Sequence, residues 1–194
     1  MMIQQMLYQS SDGMNGAVAT LCSMTTTLIL TVVGSDRPGL VAAVADIVDE
    51  HGANWENSQL AELAGVFAGV IEVSVASDRA ADLESALRGL EGLLSVTVHP
   101  GAPARDMGDS RALTVRVLGN DRPGIVREVS AVLGAHDLSI DDMTTTTRDA
   151  AMSGGRLFEA NVVAKIPASV DLDRLRADLE RLATEIQVDI TLAE

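Results

Sequence analysis

The stretch GSDRPGLV, Gly34 to Val41, returns as GNDRPGIV, Gly119 to Val126, eighty-five residues further along the chain. Six of the eight positions are identical, and the match at this single offset extends in both directions, the mark of an internal repeat. Before the turn, TLILTVVG faces ALTVRVLG, and Leu113, Val115 and Val117 alternate with Thr114 and Arg116. That period of two predicts a half-buried strand. After the turn, Leu40, Val41, Val44, Ile47 and Val48 stand in register with Ile125, Val126, Val129, Val132 and Leu133. Spacings of one, four, seven and eight place them on one face of a helix. Each helix runs out at an aligned histidine, His51 or His136, where an imidazole suits the negative end of the helix dipole.

The remainder of each copy repeats one order of elements. NWENSQLAEL and VFAGVIEVSVA read as strands joined by a tight turn at Ala64 and Gly65; LSIDDMTTTTR and GRLFEANVVAK do the same around DAAMSG. The following helices present Leu83, Ala86, Leu87 and Leu90 in one copy and Leu172, Leu175, Leu179 and Leu182 in the other. Closing strands follow, with Val96 and Val98 alternating in the first copy and Ile186, Val188, Ile190 and Leu192 in the second. Strand, helix, strand, strand, helix, strand is the split βαβ order of the ferredoxin-like fold. The expected class is therefore α+β, two βαββαβ domains in tandem, each an antiparallel sheet with both helices on one face. Residues 1–25 form a weakly patterned leader, 26–99 the first domain, 100–110 a Pro- and Gly-rich linker and 111–194 the second domain. Units of this size gain from each other's surface, so the two are expected to pack as a pseudo-dimer.

Composition bounds the function. The formal charge is -14, with eleven acidic and three basic residues from Thr26 to His99 and fourteen and ten from Arg111 to Glu194. A protein that grips phosphates displaces counterions with a basic surface, so direct nucleic-acid binding is not expected. No apolar run approaches the ~20 residues of a membrane span, and the leader lacks the charge and apolar core of a signal sequence. The expected location is the cytoplasm. The one cysteine, Cys22, gives no disulfide framework, and the three histidines His51, His99 and His136 lack metal-ligand spacing. Neither a dinucleotide fingerprint nor a phosphate loop is present, and no serine, cysteine or lysine has a nucleophile's context. Cofactors, metals and catalysis are not expected.

The repeated turn joins the first strand of each unit to its first helix. Pro38 and Pro123, with φ fixed near the helical value, are expected to begin those helices. The arginine before each proline makes the corner, and the carboxylates of Asp36 and Asp121 are placed to accept hydrogen bonds from the turn's amides. Gly39 and Gly124 are harder to account for, since glycine weakens a helix by about 0.5–1 kcal/mol relative to alanine. Either another part of the protein or a ligand needs the bare backbone. The free amides and dipole of a helix start suit a carboxylate.

A βαββαβ unit carrying G-x-D-R-P-G-[LI]-V between its first strand and first helix resembles the ACT domain, a regulatory module that binds amino acids. The tandem pair, with ANWENSQLAEL after the first helix, is similar to the glycine cleavage system transcriptional repressor family over about 165 residues from Thr26 onward. The resemblance implies a ligand site at the junction of two ACT units, the turn of one facing the second strand of its neighbour. Carried onto this chain, it implicates Asp36, Arg37, Pro38, Gly39 and Leu40 with Asn54 and Asn57, and, in the second copy, Asp121, Arg122, Pro123, Gly124 and Ile125 with Ser139 and Asp142. Asn54 has no amide counterpart in the second copy, which favours the Gly34 to Asn57 site.

The resulting expectation is a non-enzymatic regulator that binds a small amino acid of the glycine or serine class and acts on a regulatory partner protein, assembled as a homodimer. A five-atom ligand such as glycine is limited to roughly 7.5 kcal/mol, a dissociation constant of a few micromolar at best, which suits a sensor. Two alternatives are a structural module in which the turn only packs, and a detached regulatory part of an amino-acid or one-carbon pathway enzyme.

Overall fold

The computed structural model describes residues 24–102, 111–149, 155–186 and 188–193. The leader with Cys22, most of the linker and most of DAAMSG lie outside them. The chain divides into two compact units, Met1–Ala104 and Arg105–Glu194. In the first, the order is β1 (Thr25–Ser35), α1 (Leu40–Glu50), β2 (Asn54–Leu63), β3 (Val66–Ala76), α2 (Ala80–Arg88) and β4 (Ser95–Pro100). The second repeats it as β5 (Arg111–Asn120), α3 (Ile125–Ala135), β6 (Ser139–Asp149), β7 (Arg156–Ile166), α4 (Leu172–Ile186) and β8 (Val188–Ala193). The sheets are antiparallel, with strand orders β2-β3-β1-β4 and β6-β7-β5-β8. This is the expected α+β ferredoxin-like architecture, twice.

Alternation decides which face is covered. Leu28, Leu30 and Val32 of β1 and Ile71, Val73 and Val75 of β3 share one buried cluster with Leu40, Val44 and Val48 of α1 and Leu83 and Leu87 of α2. The second unit buries Leu113, Val115 and Val117 against Ile125, Val129, Leu175 and Leu179 in the same manner. Both helices of each unit thus lie on one sheet face. The opposite faces differ in charge: β1 and β3 present Ile29, Thr31, Val33 and Val70 with Glu72, whereas β5 and β7 present Arg116, Glu159 and Lys165 with Leu118 and Val163. In both units a bulge interrupts the second strand at the same aligned place, between Trp55 and Asn57 and between Ile140 and Asp142. The bulge carboxylates are tied to neighbouring strands, Glu56 by Ser74 and Asp141 by Lys165.

The helix boundaries correct three expectations. Pro38 and Pro123 do not begin helices; α1 and α3 start two residues later, and the N-caps are Gly39 (φ 94) and Gly124 (φ 98). The glycines are explained by this left-handed backbone, which side chains adopt only with strain. Crowding is not the reason at Gly39, since a Cβ there would meet nothing within 4 Å. Neither N-cap has a side-chain hydrogen bond, and the Asp36 and Asp121 carboxylates do not cap the turn among the described residues; the backbone amides of Asp36 and Asp121 instead donate to the Gly65 and Arg156 carbonyls at 2.9 and 2.8 Å. Finally, Ile186 ends α4 and does not open the last strand. The histidines do cap: His51 and His136 each follow their helix, with Gly52 (φ 63) and Asp137 (φ 57) next in the left-handed conformation usual after a helix. The β2–β3 turn falls on Ala64 (φ 52) and Gly65 (φ 80), as read from the sequence.

Candidate functional site

Strand register separates the candidate residues within each unit. Asn54 lies level with Ser74, which faces Thr27 near the start of β1, whereas the DRPG turn follows Ser35 at the other end. Eight residues of strand span roughly 26 Å. The second copy is the same: Ser139 pairs with Lys165 and Asp142 with Val163, across from Ala112 and Thr114, while Asp121 lies beyond the far end of β5. In one unit, then, Asp36, Arg37, Pro38, Gly39 and Leu40 do not meet Asn54 and Asn57, nor do Asp121 to Ile125 meet Ser139 and Asp142. What stands beside each turn is the far end of its β-hairpin.

The two turns share a backbone but differ in the fate of their arginine. In the first, Arg37 crosses to the segment before β4, where its Nη2 donates to the Gly92 and Leu93 carbonyls at 2.9 and 3.1 Å. Gly34 admits the same segment: a Cβ there would stand 2.9 Å from the Leu93 carbonyl oxygen and 3.0 Å from Leu94 Cδ2. The arginine and first glycine of GSDRPG therefore serve packing. Leu40 is buried, Asp36, Pro38 and Gly39 are exposed, and Asn57 belongs to a separate hollow of about 260 Å³ with Ile29, Gln59 and Val70 on the uncovered sheet face.

The second turn opens onto a cavity of about 480 Å³. Asp121, Arg122 and Gly124 of the turn line it together with Ile125, Val126 and Arg127 of α3, and Thr147 and Phe158, a cross-strand pair of β6 and β7, form its sheet wall. Phe158 also pairs with Gly119 of the repeated motif. Arg122 does not reach away as Arg37 does. Its Nη2 donates to Glu128 Oε2 at 2.5 Å and its Nη1 to the Pro123 carbonyl at 3.0 Å, while Arg127 Nη2 lies 3.5 Å from Glu128 Oε1. The hydrogen bond from Arg122 outweighs partial burial and holds the Glu128 carboxyl below the usual carboxylate range. Two guanidinium groups, balanced by Glu128 and Asp121, a helix start with unpaired amides and an apolar floor give the cavity groups that can meet a small carboxylate-bearing molecule.

Sequence reasoning named Asp121, Arg122, Gly124 and Ile125 here but missed Val126, Arg127, Glu128, Thr147 and Phe158. A signal for two of them existed, because Arg127 and Glu128 align with Ala42 and Ala43, a charged pair placed where the first copy has two alanines. Among the described residues no cluster of His, Cys, Asp and Glu has the geometry to hold a metal ion, and no helix is long and apolar enough to cross a membrane.

Comparison with known proteins defines the class. Residues 26–100 and residues 113–180 each match an ACT domain model. The chain belongs to the ACT domain family and carries two such domains in tandem. It is related to the "Glycine cleavage system transcriptional repressor" of Escherichia coli (strain K12), being 28% identical over 162 residues that cover 82% of this chain and 85% of the relative. A crystal structure of an unknown protein from Galdieria sulphuraria superposes with a TM-score of 0.80 at 29% identity, covering 88% of this chain and 99% of that one. A phosphoserine phosphatase of Streptomyces coelicolor is 27% identical over 180 residues, 86% of this chain but 39% of the enzyme.

Proposed function

We propose that this ACT-domain protein is a non-enzymatic, amino-acid-responsive regulator, and that its ligand, a small amino acid of the glycine or serine class, binds at the second DRPG turn. One observation carries the assignment: the cavity beside Asp121 to Arg127 combines two guanidinium groups with the unpaired amides that open α3. The first turn, whose Arg37 is spent on the Gly92 and Leu93 carbonyls, serves as a structural element. A ligand carboxylate at the second turn would meet Arg122, Arg127 and the α3 amides, and ligand-dependent closing of this end of the unit would change the surface offered to a partner. Relationship to a transcriptional repressor supports a role in controlling amino-acid or one-carbon metabolism. With a net charge of -14, that control is exerted through a regulatory partner protein and not by direct contact with DNA. The outer face of the first sheet, where Ile29, Thr31, Val33 and Val70 surround the single charge of Glu72 on β1 and β3, supports a homodimer built with a second copy, since other faces of so acidic a chain repel one another.

Calorimetric titration with glycine, serine, cysteine and the branched-chain amino acids tests the reading, with light scattering on the same samples reporting the mass. Binding in the micromolar to millimolar range is expected, abolished by Arg122→Gln and retained by Arg37→Gln. Absence of heat with every ligand at millimolar concentration sinks the sensor, and a monomer of 20.3 kDa sinks the dimer.

A further inference from the structure

We infer that Glu128 sets the selectivity of the second-turn cavity, competing with incoming carboxylates for Arg122 so that only a ligand bringing its own cation is accepted. The inference rests on the reading of that cavity as a carboxylate site and concerns how it chooses among carboxylates. The Glu128 carboxylate engages both guanidinium groups of the cavity, Arg122 at 2.5 Å and Arg127 at 3.5 Å. Nor does it point away into solvent: its Oε1 lies 3.4 Å from where a Cβ on Gly124 would stand, directly over the turn, and its side chain is 25% exposed.

The pair is not needed to build the turn. The first copy makes the same left-handed glycine N-cap, φ 94 against 98, with Ala42 and Ala43 in the places of Arg127 and Glu128. Its arginine then finds backbone carbonyls instead. Glu128 is thus a local addition to a turn that forms without it.

Its chemical consequence follows from charge balance. The cavity's own charges already balance, Arg122 and Arg127 against Glu128 and Asp121, so a bare carboxylate makes three anions to two cations and leaves one without a partner beside a like charge, which opposes binding. A zwitterionic amino acid delivers its carboxylate to the arginines and its ammonium to the released Glu128, so every charge keeps a partner. Glu128 therefore rejects simple acids by repulsion while costing amino acids little.

Titration of the full chain and its Glu128→Gln variant with glycine and with acetate decides the matter. The unmodified protein is expected to prefer glycine, and Glu128→Gln to bind acetate about tenfold more tightly, so that the glycine-to-acetate ratio falls by about that factor. Glu128→Ala, which restores the residue of the first copy, is expected to behave likewise with its fold intact by circular dichroism. A ratio unchanged in both variants, with glycine still bound, overturns the role of Glu128 and leaves the cavity assignment standing. Failure of all three proteins to bind glycine or acetate overturns the cavity assignment and the selectivity with it.

Discussion

At the scale of single residues, the two glycines after the prolines carry the fold's most specific local demand. Gly39 and Gly124 hold φ at 94 and 98, where a Cβ crowds the following carbonyl. Alanine at either place is expected to cost about 1–2 kcal/mol, a fall of roughly 4–8 °C per kcal/mol in the melting midpoint of a unit this small. Asparagine, which visits this conformation more readily, is expected to cost less. Because a Cβ at Gly39 would touch nothing within 4 Å, its cost is conformational alone, so Gly39→Ala and Gly39→Asn separate cleanly in thermal melts. Equal stability of Gly39→Ala and the unmodified chain would falsify this account. The sequence made the glycines conspicuous without explaining them, since a proline that fits the first helical position also fits a turn two residues earlier. The arginines were still less legible: Arg37 meets carbonyls more than fifty residues away, and only the fold brings them together.

At the scale of elements, the hairpin β2–β3 depends on a glycine of a different kind. Gly69 has an ordinary strand conformation, but a Cβ built on it would lie 2.3 Å from the Gln59 carbonyl oxygen and 2.5 Å from Leu60 Cδ2. Leu60 folds over this gap and packs against the core of the first unit. Gly69→Ala is expected to push the edge strand β2 outward at a cost of ~1–3 kcal/mol, and hydrogen exchange should quicken in β2 while β1 and β4 keep their protection. Uniform loss of protection across all four strands would place the damage elsewhere. Elements of this kind were well legible, because alternation marks a strand and 3.6-residue spacing a helix wherever one face is buried. Where both periods fit the same residue, the reading slipped: Ile186 stands two before Val188 as a strand would have it, yet four after Leu182 as the helix requires, and the helix prevails. The site was legible only in part, since its sheet wall, Thr147 and Phe158, is set by pairing across β6 and β7 that no local pattern announces.

At the scale of the whole molecule, charge governs how stability varies with pH, through two opposing effects. The formal charge of -14 at pH 7 makes the folded chain repel itself, and acidification toward the isoelectric point near 4.4 relieves that repulsion. Against this, three carboxyl groups among the described residues are held below their usual range: Asp178 by hydrogen bonds from His136 and Arg181, Glu128 by Arg122, and Glu56 by Ser74 and Asn54. A carboxyl whose pKa is lower folded than unfolded contributes stability that is fully present above its unfolded value, near 4, and is lost as pH falls through the folded value. Stability is therefore expected to rise slightly from pH 7 to about 5 and to drop steeply below about 4, with added salt flattening the neutral side because it screens repulsion. Asp178→Asn removes one of the three, and it also removes the tie at 2.9 Å between His136 at the end of α3 and α4. Its melting midpoint should lie below that of the unmodified chain at pH 6, and the gap should narrow as pH falls below the unfolded value and through the lowered folded one. Denaturant titrations at pH 6, 5, 4 and 3 read this directly: a gap that stays constant down to pH 3 means the aspartate acts through packing and not through its charge.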